Sequence, residues 1–176
     1  VSCPHSEEGV LNIGLSPEHT YKITKSVREE VGDEIPVLVK LPGNTNIPNL
    51  LEVAKSAVKA GASGIVAINT IPAIWIDVDV MKPVIGNVYG GLSGPAIRPI
   101  ALRIVYELYE KLNVPIIGVG GVVDWKAAIQ YFLAGASAVE IGSGIAYKDL
   151  AIFDEINSGI REYLKRKNFK NLNEII

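Results

Sequence analysis

The sequence predicts an α/β fold, a (β/α)8 TIM barrel of which only about the last five βα units are expected in this chain. Three observations point there. Short apolar, β-branched runs alternate with amphipathic stretches of helical length, the pattern of a parallel sheet with crossover helices. Glycine or polar residues stand at the C-terminal end of each run, where barrel enzymes carry their functional loops. At 176 residues the chain is also shorter than the roughly 250 of a complete barrel. Residues 1–176 therefore read as the C-terminal part of a single domain that an N-terminal part is expected to complete. A doubly wound sheet is the competing arrangement; polar residues at every strand end favour the barrel.

The chain opens on 1–14 as a loop following a strand that ends at or before Ser2. Ser16-Pro17-Glu18 starts a helix, with serine at the N-cap, proline in the first turn and an acid beside the positive end of the dipole. Ile23, Val27 and Val31 are its expected buried stripe, and Gly32 ends it. Pro36 to Leu41 is a strand carrying Lys40 near its C-terminal end. A lysine there needs an anionic or electron-rich partner; the plainer alternative is that it snorkels to the rim. Ile47 to Ala60 is a second amphipathic helix with Gly61 as its C-cap. Gly64 to Ile68 is a strand that delivers Asn69 and Thr70, an amide and a hydroxyl on the functional face, unless the pair simply turns the chain.

The long connection from Ile71 to Pro95 contains alternating segments, Ile74 to Val80 and Lys82 to Ile85, that suit a small hairpin, and loops of this length are usually functional. It closes on Tyr89-Gly90-Gly91-Leu92-Ser93-Gly94-Pro95, where the glycines let backbone lie flat against a ligand before a helix from Ala96 to Leu112. Val114 to Ile117 and Ala136 to Val139 are strands buried on both faces. A helix lies between them, with Asp124 and Gly135 as its caps. Each strand leads into glycines, Gly118-Val119-Gly120-Gly121 and Ile141-Gly142-Ser143-Gly144. Two adjacent parallel strands ending in glycine present bare N–H groups to one phosphate, and the last two strands of a barrel are where such a site is commonly built. The plainer alternative is that these glycines only turn the chain. Ala151 to Lys167 is a final helix with Ile152, Ile156, Ile160 and Tyr163 inward, and Asn171 to Ile176 is a short terminal helix or tail.

Composition narrows the function. A net charge of −2 with 48% hydrophobic residues leaves no basic patch, so nucleic acid is not an expected partner. No run of about 18 apolar residues and no signal-peptide pattern occurs, so no membrane span is expected and the cytoplasm is the expected compartment. Cys3 is the single cysteine, which excludes an internal disulfide and a cysteine metal cluster on this chain. No metal site is expected. The thiol is either a small buried hydrophobe or a reagent.

Taken together, these motifs resemble those of the soluble, class 1 dihydroorotate dehydrogenases, above all the type that works with a separate electron-transfer subunit. The similarity covers nearly the whole chain. Ser2-Cys3-Pro4 is similar to the family's active-site loop, Val39-Lys40-Leu41 to its flavin lysine strand, and Ile68-Asn69-Thr70 to the segment carrying its substrate asparagine. Gly90 to Ile97, Gly120-Gly121 and Gly142-Ser143 are similar to its flavin mononucleotide loops. The resemblance implies a (β/α)8 barrel entered at about the fourth strand, with FMN held by Lys40, Ile68, Gly94, Gly120, Gly121, Gly142 and Ser143. It further implies Asn69, Thr70 and His5 at the substrate and Cys3 as the base that takes a proton from C5 of dihydroorotate while hydride leaves C6. Orotate, in de novo pyrimidine (UMP) biosynthesis, is the implied product. An oligomer and an FAD- and iron–sulfur-carrying electron-transfer subunit are the implied partners. His5 departs from the family, which commonly has asparagine there. Ser-Cys-Pro-His is similar instead to the pyrimidine-reducing domain of dihydropyrimidine dehydrogenase, so a reductase of uracil or thymine is one alternative. A flavin-free barrel enzyme binding a sugar phosphate is another, although it gives no use to Lys40 or Cys3.

Overall fold

The computed structural model describes residues 13–176. After a short 3-10 turn at Ile13–Leu15, the chain forms α1 (Pro17–Val31), β1 (Leu38–Leu41), α2 (Ile47–Lys59) and β2 (Gly64–Ala67). An excursion follows, built from β3 (Ile71–Ala73), β4 (Ile76–Asp77), β5 (Lys82–Pro83) and β6 (Gly90–Leu92). A 3-10 turn at Pro95–Ile97 leads into α3 (Arg98–Tyr109), then β7 (Ile116–Val119), α4 (Trp125–Leu133), β8 (Ala138–Glu140), α5 (Ser143–Lys148) and α6 (Ala151–Lys167).

Four strands, β1-β2-β7-β8, form one sheet in which every pair is parallel. Their spatial order follows the chain with no reversal, so among the described residues the sheet has no crossover point of the kind a doubly wound fold requires. Alternation along the strands separates two faces. Val39, Leu41, Ile65, Ala67 and Ile116 are buried in the core that α2, α3 and α4 cover, whereas Leu38, Lys40, Ile117, Val119 and Glu140 look to the other side and are less covered. On that second side the outer strands, about 14 Å apart in a flat sheet, are bridged by their side chains, Lys40 of β1 meeting Glu140 of β8 at 3.0 Å. A parallel sheet in chain order with helices packed on one face is consistent with part of a β/α barrel. Among the described residues there are four strand–helix units, with α1 preceding them.

Local chemistry explains the boundaries. Ser16 caps α1 by accepting from the His19 N–H, and Gly32 closes it at φ +71 with its N–H on the Arg28 carbonyl. Asp124 caps α4 by accepting from the Ala127 N–H at 2.7 Å. Gly61 and Gly135, at φ +99 and +96, stand one residue past the C-caps Ala60 and Ala134. α6 keeps the expected bounds and buries Ile152, Ile156 and Ile160, while Tyr163 packs on Trp125 with ring centroids 6.0 Å apart.

Several expectations need correction. The buried face of α1 is Thr20 and Thr24, which lie against α2; Ile23 and Val27 are 39% and 42% exposed. β7 runs two residues later than expected, because Gly118 belongs to the strand: a side chain there would collide with the Tyr131 ring. β8 is shifted the same way and ends on Glu140. The helix expected from Ala96 begins as a 3-10 turn and becomes α-helical at Arg98. The long connection holds two antiparallel pairs: the expected hairpin, reduced to β4 with β5, and an unexpected ladder of β3 with β6. A short helix, α5, intervenes between Gly142 and α6.

Candidate active site

The loop after β7 is locked from below and from the side. The Tyr131 ring lies against Gly118, and its fully buried hydroxyl donates to the Gly120 carbonyl at 2.6 Å. Burial pushes this hydroxyl far above the ordinary tyrosine range, against a small opposing pull from Arg98, so it remains a donor. Gly120 and Gly121 take φ +139 and +66. A Cβ on Gly121 would stand 2.6 Å from the Gly94 carbonyl oxygen and 2.7 Å from Pro95 Cα. Arg98 Nη1 donates to the Gly121 carbonyl at 3.3 Å. The two glycine loops thus rest on each other, and glycine at 121 is a packing requirement.

The loop after β8 differs. Gly142 is the N-cap of α5 and offers no side chain to cap it, and among the described residues no atom lies within 4 Å of where its Cβ would be. Unlike Gly121, it is not held to glycine by any described neighbour. Ser143 Oγ and the Tyr147 hydroxyl face Gly94, 3.5 and 3.3 Å from where its Cβ would be.

Lys40 and Glu140 close the site between the first and last strands of the sheet, with Nζ and Oε2 3.0 Å apart and both side chains a little under half exposed. At the end of β2, Ile68 is buried and donates its N–H to the Val119 carbonyl at 3.1 Å; Asn69 donates its N–H to the Leu41 carbonyl at 2.8 Å. Thr70 donates its N–H to Asn69 Oδ1 at 2.9 Å, and its side chain fills the notch left by Gly91 of β6. The pair joins β2 to β3 without a turn or bend, and Asn69 faces the site.

One cleft of about 250 Å³ is lined by Lys40, Ile68, Asn69, Thr70, Gly94, Gly120, Gly121, Gly142 and Ser143. Every site residue expected from the sequence within the described range lies on it. Cys3 and His5 fall outside the described residues. Ser93, Ile97, Val119 and Glu140 also line the cleft and were not anticipated. Glu140 carried the same signal as Lys40, a charge inside an apolar strand, and could have been found by it. Tyr131 gave no signal, since a tyrosine in a helix stripe reads as core. The cleft offers bare backbone at two loops, an amide, a hydroxyl and a cation beside an anion, a set that suits an anionic ligand carrying a polar ring.

A parallel sheet with helices on one face and a glycine-walled cleft at the carboxyl ends of its strands is consistent with part of a β/α-barrel enzyme. Within that class, a family model described as dihydroorotate dehydrogenase matches residues 1–164. All 176 residues align at 46% identity with the dihydroorotate dehydrogenase B (NAD(+)) catalytic subunit of Pyrococcus furiosus, covering 57% of that protein. The proteins of the same name from Methanocella arvoryzae and Methanocaldococcus jannaschii align over the whole chain at 47% and 43% identity, each covered to 56%. The chain belongs to the dihydroorotate dehydrogenase family, and it spans little more than half the length of these curated relatives.

Proposed function

We propose that this chain is the C-terminal part of a single FMN-binding (β/α)8 barrel, about five βα units of it, in a protein that oxidises dihydroorotate to orotate in de novo pyrimidine biosynthesis. The observation that carries the reading is the gathering of Lys40, Asn69, Gly94, Gly120, Gly121, Gly142 and Ser143 on one cleft at the strand ends. The residues fit a flavin nucleotide. Among the described residues nothing packs within 4 Å of the Gly142 Cβ position, and the helix start beside it has no side-chain cap, a setting that suits a phosphate. Gly94, Gly120, Gly121 and Ser143 would hold the phosphate and ribityl chain, with the Ile68 backbone alongside. Lys40 would place its charge at the N1/O2 edge of the flavin ring. Asn69 and Thr70, with His5, would hydrogen-bond the pyrimidine and fix its plane. When bound, FMN supplies the acceptor for a hydride; Cys3 would take the proton from C5, a role that requires a partly ionised thiol near the substrate.

The relatives' designation as catalytic subunits supports a partner, which we take to be an electron-transfer subunit carrying FAD and an iron–sulfur centre, in an oligomeric assembly. No helix among the described residues is long and apolar enough to cross a membrane, and we place the protein in the cytoplasm. The test is anaerobic mixing of the flavin-loaded protein with dihydroorotate or dihydrouracil while the flavin absorbance is followed. Bleaching should be much faster with dihydroorotate. Equal or faster bleaching by dihydrouracil would favour the uracil and thymine reductase that His5 suggests, and a preparation that takes up no flavin would favour a flavin-free phosphate-binding enzyme.

A further inference from the structure

Among the described residues, the ion pairs other than Lys40–Glu140 lie within one helix or join α5 to α6. Lys40–Glu140 alone joins two strands, 100 residues apart, and it does so inside the cleft. With side chains 41% and 44% exposed, such a pair contributes little to stability, because solvent screens it and two flexible side chains must be ordered to make it. Its position is better explained by the ligand. Glu140 is two residues before Gly142 on the same strand end, so the acid and the glycine loop are held in fixed relation by a short stretch of chain. A bound ligand would also exclude water from the pair and raise the effect of both charges on whatever lies beside them.

We propose that Glu140 is a positioning residue that holds the Lys40 ammonium over the cleft and offsets its charge, thereby limiting how strongly the site favours reduced over oxidised flavin. This rests on the flavin reading above. A lone lysine beside the ring stabilises the negative charge that reduction brings, whereas a lysine 3.0 Å from a carboxylate presents a far weaker field. Glu140→Gln keeps the shape and removes the offset. Glu140→Asp keeps the charge, and Lys40→Gln removes the cation.

The experiment is an anaerobic reduction titration of the flavin-loaded full chain against a reference dye, for the parent and the three variants. Glu140→Gln should raise the ratio of reduced to oxidised flavin affinity at least tenfold, about 30 mV for a two-electron couple. Lys40→Gln should lower it by at least as much, and Glu140→Asp should stay within about threefold of the parent, well under that same tenfold step. A Glu140→Gln protein that binds flavin with the parent's potential would overturn the proposal, as would an Asp variant that shifts as far as Gln, since packing and not charge would then be at work. A parent that binds no flavin sinks the cofactor reading itself and is seen before any variant is compared.

Discussion

Gly121 and Gly142 are both glycines on the cleft, and the structure assigns them opposite reasons, so alanine at each should fail in a different assay. At Gly121 the new methyl must take φ +66 and would lie 2.6 Å from the Gly94 carbonyl oxygen. A left-handed backbone costs an L-residue about 1–2 kcal/mol. Separating two backbones that already touch costs about 1–3 kcal/mol more. Gly121→Ala should therefore lose about 2–5 kcal/mol in urea unfolding. At Gly142 the methyl meets no atom of the described residues within 4 Å, and the loss should not exceed about 1 kcal/mol, the difference between glycine and alanine at an N-cap. Flavin affinity, read by fluorescence quenching on titration of the apoprotein, should fall at least about tenfold in Gly142→Ala, the worth of one displaced hydrogen bond to a charged group. Unchanged flavin affinity in a stable Gly142→Ala protein would refute the assignment of this loop to the phosphate. Parent-like stability of Gly121→Ala would refute the crossing of the two loops.

Tyr131→Phe keeps the ring on Gly118 but leaves the Gly120 carbonyl without its buried donor, so urea unfolding should show a loss of about 1–3 kcal/mol. The same residue sets a pH dependence: its hydroxyl stays protonated in the fold while the unfolded chain ionises above the ordinary value of 10.0, so the unfolded state binds fewer protons there and stability falls as pH rises past that point. The alkaline slope of stability should be smaller by about one proton in Tyr131→Phe; an identical slope would mean the hydroxyl titrates normally. Cys3→Ser should slow flavin reduction by dihydroorotate about 10²–10⁴-fold while substrate affinity changes little, as stopped-flow bleaching would record. An unchanged rate would reduce Cys3 to packing.

Much of this was legible in the chain because caps and glycines act locally. Ser16, Asp124 and Gly32 stop or start helices through hydrogen bonds to residues three or four away, and these signals need no tertiary context. What escaped depended on partners distant in sequence. Gly118 looks like the first residue of a turn until the Tyr131 ring is known to occupy its missing side chain. Gly91 reads as ligand-facing backbone, but in the fold it makes room for Thr70 within the β3–β6 ladder. The α1 stripe misled because apolar periodicity names a face without naming its neighbour, and α2 approaches over Thr20 and Thr24. Glu140 stands one residue past the apolar run 136–139, so the run alone does not mark it as part of the strand that it ends.

The walls of the cleft differ in what holds them, and the difference follows the work each would do. On the β7 side the loop is fixed through the backbone, by Tyr131 on one carbonyl, Arg98 on the next and Gly94 against Gly121. A phosphate is recognised by N–H groups that must already point inward, and rigid backbone provides that without a cost of ordering. Opposite, the excursion leaves the cleft at Thr70 and returns at Ser93, and the pairing of Ile71 with Leu92 ties those ends together. That ladder sets the spacing between Asn69 and Gly94, and hence between the residues assigned to the pyrimidine and those assigned to the flavin. Across the middle the contact is between two half-exposed side chains, Lys40 and Glu140. Substitution at either of these two positions changes charge in the cleft without touching the backbone contacts that hold its walls.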